Sequence, residues 1–156
     1  MKRTRSAGII IKANKIVLMH RIKYGAKYYV FPGGGVEIGE TTEETALREV
    51  FEETTLTVKI EKLLFQHIYD DNSEQFFYLC NYISGEPKLG DANEAENMLE
   101  DPEEFYDPNW YPLDKLSQLL LYPLEIRDWL IEDLRKDFGN TPKVARIKIS
   151  ELRRTL

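Results

Sequence analysis

The sequence predicts an α/β chain, and three observations carry that reading. Two pairs of Ile-, Val-, Leu- and aromatic-rich runs, Arg5–Lys12 with Lys15–Arg21 and Leu56–Ile68 with Phe76–Ile83, are each joined by turn residues. Between the pairs, Thr41 to Leu56 carries a helix with its own start signal. Near the C-terminus, Ile126, Trp129, Leu130, Leu134 and Phe138 recur at helical spacing. A chain of 156 residues, 42% hydrophobic and 31% charged, has room for one well-filled core, so a single domain over 1–156 is expected.

In order, Ala13-Asn14 divides the first two runs into an antiparallel pair of strands. Arg21 then ends the second strand, Ile22 to Lys27 reads as a loop around Gly25, and Tyr28 to Phe31 as a short strand. Tyr24, Lys27 and Tyr28 are placed to line a pocket, with rings for a base and an amine for phosphate; simple packing is the competing reading. After the central helix, Asp70-Asp71-Asn72-Ser73 turns one long strand into the next. His20 has no visible partner and reads as a surface or packed side chain; His67, on the first of these long strands, reads as a half-buried strand histidine. Cys80 lies in an apolar run and reads as buried and inert. Phe105 to Tyr111 is a further strand ending at Pro112, and Leu113 to Leu121 is helical. A second long helix runs from Pro123, which suits a first turn, to Phe138, with Gly139 as its stop. The basic tail from Thr141 holds an alternating stretch, Val144 to Ile149, able to form an edge strand in its own domain or against a second copy.

The chemistry is concentrated between Gly33 and Leu56, GGGVEIGETTEETALREVFEETTL. Thr41 stands three residues before Glu44, the spacing of a capping box. Ala46, Leu47 and Val50 give the helix an apolar stripe, while Glu49, Glu52 and Glu53, at i, i+3 and i+4, share one face. Three like charges on one face repel. Solvent on an exposed face can offset that, but so can a hard cation, since Mg²⁺ and Mn²⁺ take oxygen ligands from carboxylates, water and phosphate. The preceding glycines let backbone approach a ligand, and Arg48, one turn before Glu52, can hold a carboxylate in place. Those two details favour the cation.

Gly34, then Glu40 after five residues, then Arg48-Glu49-Val50-Phe51-Glu52-Glu53-Thr54-Thr55-Leu56 after seven more, resembles the Nudix box of the Nudix hydrolases. Thr55 alone departs, standing where the family has glycine; a β-branched residue in the left-handed region costs about 1 kcal/mol or more. The resemblance implies an α/β/α sandwich with a mixed sheet between helices, a divalent metal held by the box, and cleavage of a diphosphate in a nucleotide-type compound. It assigns the metal to Glu49, Glu52 and Glu53 with the Gly33 carbonyl, work on the attacking water to Glu53 and Glu49, and orientation of the carboxylates to Arg48. Glu40 is placed to fix the loop. It also implies a phosphate contact for Arg21, where an exposed strand-end arginine is the alternative, substrate contacts for Gly34 and Tyr28, and a loop glutamate at Glu104, with Glu103 a close rival. The residues YYVFPGGGVEIGE are most similar to small MutT-like members that often act on nucleoside triphosphates.

The net charge of −6 narrows the rivals. Ser84 to Asp107 holds nine acids against Lys88 alone, leaving 20 bases and 18 acids elsewhere. The acidity therefore belongs to one segment, and no extended basic face is available for nucleic-acid backbone, so no nucleic-acid partner is expected. No apolar run suits a signal peptide or a membrane span, and a cytoplasmic enzyme is expected. The alternative is a catalytically silent module that senses nucleotides; it predicts loss of a box carboxylate, and none is lost.

Overall fold

Residues 3–89, 105–139 and 142–151 are described in a computed structural model. Glu104 and Glu103, with most of the acidic segment, lie outside these residues.

Strand β1 (Thr4–Lys12) turns at Ala13-Asn14, both at positive φ, into β2 (Lys15–Lys23). That backbone is the two-residue hairpin turn whose twist matches the strands. The two strands pair only at the turn, through Ile11↔Ile16 and Lys12↔Lys15. Beyond it they splay, and β1 takes β4 (Gly33–Gly35) and β6 (Glu74–Ser84) as neighbours instead. The splay brings the glycines against the central helix. The β1–β6, β3–β8 and β5–β9 ladders are parallel and the rest antiparallel, so the sheet is mixed: β8-β3-β2-β1-β6-β5-β9, with β4 added on β1 and β7 on β2.

Here β3 is Ala26–Val30, β5 Thr57–Tyr69, β7 Phe105–Pro112, β8 Leu121–Tyr122 and β9 Lys143–Ile147. Helices α1 (Thr42–Thr54) and α2 (Leu124–Leu134) cover opposite faces. Strand alternation divides the core accordingly. Ile10, Val17, Tyr78 and Cys80 meet Ala46 and Val50 of α1, while Ile9, Ile16, Leu18 and Phe77 meet Ile126 and Leu130 of α2. The expected α/β architecture, a mixed sheet between helices, is the one observed.

Three local expectations are corrected. Ile22–Lys27 is not a loop: β2 runs to Lys23 and turns through Tyr24 and Gly25, both at positive φ, straight into β3. A Tyr-Gly turn lacks the Asn-Gly signature that would have announced it. The helical stretch after Pro112 is a 3-10 helix ending at Gln118, and Leu121 begins a strand. Helix α2 stops at Leu134 rather than Phe138, because Asp137 and Phe138 take positive φ and fold the Phe138 side chain back onto the core. No helix among the described residues is long and apolar enough to cross a membrane.

Candidate active site

Helix α1 starts where its sequence says it should. Thr41 accepts a hydrogen bond from the Glu44 N–H (3.1 Å) and donates its own N–H to the Glu44 carboxylate (2.9 Å). Its other end is electrostatically costly. The last turn holds Glu52 and Glu53 and no basic residue, where the helix dipole disfavours negative charge by about 0.3–1 kcal/mol per group. Thr55 caps the helix in the left-handed conformation (φ 63°, ψ 7°), the strained of the two exits open to it. Its N–H reaches the Phe51 carbonyl, and its hydroxyl donates to the Glu86 carbonyl (3.0 Å).

Arg48 offsets much of this negative charge. Its Nε donates to Glu40 (2.7 Å), its Nη1 to Glu49 (2.8 Å) and Glu52 (3.1 Å), and its Nη2 to the Gly35 carbonyl (3.1 Å) and again to Glu40 (3.0 Å). The bonds from Arg48, followed by one from the Thr45 hydroxyl, hold the Glu40 carboxyl down to about 2. The guanidinium is raised in turn, by Glu40 first and Glu49 after it, against the opposing effect of burial. Glu40 also accepts the Glu37 N–H (3.1 Å), so it ties the loop after β4 to the helix.

Glu53 behaves differently. It is 8% exposed and accepts the Gly33 N–H at 2.9 Å. In a strand, the N–H and carbonyl of one residue face the same edge, so the Gly33 carbonyl is turned toward α1 as well. Gly34 is required by contact: a Cβ there would stand 2.5 Å from the Glu49 carboxylate. The three carboxylates share out their partners: Arg48 bonds Glu49 and Glu52, while Glu49 and Glu53 both stand against β4, at Gly34 and at the Gly33 N–H. Among the described residues, no three His, Cys, Asp or Glu side chains are gathered tightly enough to hold a metal ion. In kind the donors fit a hard divalent cation, being carboxylates and a backbone carbonyl without thiolate or imidazole.

Next to Gly33 and Gly34 opens a cavity of about 180 Å³, walled by Ala7, Phe31, Phe76, Phe77 and Tyr122, with Arg5 and Gln75 at its polar end. The sequence reading missed it, since its walls come from five strands and only their register unites them. Of the predicted substrate residues, Gly34 lines this cavity; Arg21 and Tyr28 do not. Arg21 lies within β2, two residues before its end, bonded to the Tyr106 hydroxyl (2.9 Å) with its guanidinium over the Tyr106 ring (4.3 Å), and its buried Nε has no hydrogen-bond partner among the described residues. Tyr28 is buried edge-on to Tyr122. Tyr24, expected beside it, points to solvent.

Comparison with known proteins agrees with this arrangement. The chain is 39% identical over 112 residues to an ADP-ribose pyrophosphatase of Methanocaldococcus jannaschii, covering 67% of this chain and 62% of that protein. It is 30% identical over 111 residues to the NAD-capped RNA hydrolase NudC of Edwardsiella ictaluri, covering 70% of this chain and 39% of that one. It thus spans less than two thirds of the length of either relative. A NUDIX hydrolase structure from Nitrosomonas europaea matches with a TM-score of 0.67 at 18% identity, covering 99% of this chain and 98% of that one, a likeness of fold. A family model for the NUDIX domain matches residues 2–132, most of the chain and all of the glycine strand and charged helix, and the chain belongs to that family.

Proposed function

We propose that this protein is a hydrolase that cleaves the diphosphate linkage of a nucleotide or nucleoside-diphosphate-linked compound, with Mg²⁺ or Mn²⁺ as its cofactor. The observation that carries the reading is the adjacency of two unlike environments across β4. On one side stand the α1 carboxylates with Arg48; on the other is an aromatic cavity of a size for one ring system.

Glu49, Glu52 and Glu53, with the Gly33 carbonyl, are the residues to hold the metal. When bound, such an ion neutralises phosphate oxygens and lowers the pKa of a coordinated water. The chain's own groups do the rest. Arg48 holds Glu49 and Glu52 in place, and Glu40, kept ionised, anchors Arg48. Gly34 leaves room for the Glu49 carboxylate and for close approach of a substrate. Glu53 and Glu49 are the bases placed to take the proton of the attacking water.

The two relatives, an ADP-ribose pyrophosphatase and an NAD-capped RNA hydrolase, support a diphosphate flanked by a nucleoside. The test is a panel of nucleoside triphosphates, nucleoside-diphosphate sugars and dinucleotides with Mg²⁺, scored for release of nucleoside monophosphate, phosphate or pyrophosphate. Cleavage of at least one member between its phosphorus atoms is expected. A protein that cleaves none, with either metal, would overturn the proposal.

A further inference from the structure

A second cavity, about 280 Å³, lies beyond the first and is lined by Arg3, Tyr69, Asp71 and Ser73 among others. The two cavities share two residues, Arg5 and Gln75. These are register partners on adjacent strands, and Arg5 is also the partner of Gly35 on β4. A row of side-chain positions therefore crosses the sheet from the glycine strand over β1 to β6, two strand spacings or about 10 Å.

Both residues are half-buried, and neither the Arg5 guanidinium nor the Gln75 carboxamide has a hydrogen bond or ion pair among the described residues. Arg48, by contrast, spends its donors on four groups. Both side chains keep solvent-reachable polar atoms, so their donors are available to a ligand, and they line a cavity whose other walls are largely aromatic and apolar. That cavity's 180 Å³ is well above the ~10–15 Å³ a single water needs and leaves room for a flat heterocycle. A ring lodged against Phe31, Phe77 and Tyr122 would present its edge to Arg5 and Gln75.

We propose that Arg5 and Gln75 are specificity-determining residues that read the edge of a purine base in the nucleoside half of the substrate. The inference rests on the proposed function, because it places the base beside the diphosphate site. A guanidinium fork matches two acceptors side by side, as O6 and N7 of guanine; a carboxamide matches an acceptor beside a donor, as N7 and N6 of adenine. Each purine thus depends on a different side chain of the pair, and a pyrimidine offers neither edge.

The experiment is a crossed comparison. Wild type, Arg5→Ala, Arg5→Lys and Gln75→Ala are assayed on ADP-glucose, GDP-glucose and UDP-glucose, and binding of AMP, GMP and UMP is measured by calorimetry. Wild type favours both purines over uridine. Arg5→Ala lowers kcat/KM for GDP-glucose relative to ADP-glucose by about fivefold or more, through KM, and Gln75→Ala shifts the ratio the opposite way. Arg5→Lys behaves as Arg5→Ala, since an ammonium keeps the charge but not the fork. Equal losses on all three substrates, rescue by Arg5→Lys, losses confined to kcat, or a wild-type preference for uridine would overturn the proposal. The two readings fail separately: a crossed pattern in monophosphate binding without cleavage removes the proposed function alone, and cleavage without the pattern removes this inference alone.

Discussion

The Arg48 guanidinium touches Glu40, Glu49 and Glu52 at once, so a helix end crowded with acids keeps its shape. Glu53, the acid it does not bond, finds the Gly33 N–H instead. Gly34 fits the same logic. The atoms a Cβ would meet there are the carboxylate end of Glu49, which can swing away, and not backbone. Gly34→Ala is therefore expected to fold with little loss of stability yet lose about tenfold or more in turnover, because displaced positioning of a catalytic group is costly. Melting curves and turnover measured together check this; an active Gly34→Ala would show that Glu49 need not stand where it does. These residues were legible in the sequence because helix periodicity and a fixed loop bring them together locally. Arg5 and Gln75 were not, since strand register alone makes them neighbours. For Arg21 the sequence showed a strand end; its partner Tyr106 arrives on a strand from the far side of the acidic segment.

Among the elements, α1 was the most legible, as capping box, apolar stripe and acidic face agree on one helix. Strand β4 was the least. A run of glycines gives no strand signal, and only its ladder to β1 makes it one. The layer between β5 and α2 carries a pH dependence. His67 on β5 is fully buried, its ring edge-on to Trp129 of α2 (5.2 Å), with Nδ1 3.3 Å from the Tyr69 hydroxyl and Nε2 without a partner among the described residues. Burial pushes its imidazole below the ordinary value of 6.5, against the opposing charge of Glu125 on α2. The folded state thus prefers neutral His67, and stability is complete above about pH 6.5 and falls as pH drops below it. The melting temperature is expected to decline between pH 7 and pH 5, and His67→Phe to flatten that slope. An unchanged slope in His67→Phe would assign the decline to other groups.

At the scale of the whole molecule, the splay between β1 and β2 does the organising. It opens the sheet to β4, sets the glycines against α1, and leaves the aromatic cavity on the other side of the same three residues. The α/β class and the two covering helices followed from periodicity; the splay and the pairing of β9 with β5 depended on long-range contacts that no local pattern encodes. What has to hold is that a carboxylate pinned to the glycine strand takes part in breaking a diphosphate. The direct measurement is Mg²⁺-dependent turnover of the best substrate by wild type and Glu53→Gln, with folding of both verified by melting. An amide oxygen still accepts the Gly33 N–H, so Glu53→Gln is predicted to melt near wild type while losing about 10²-fold or more in kcat, and removing divalent metal is predicted to silence wild type. A folded Glu53→Gln that turns over at the wild-type rate would contradict it.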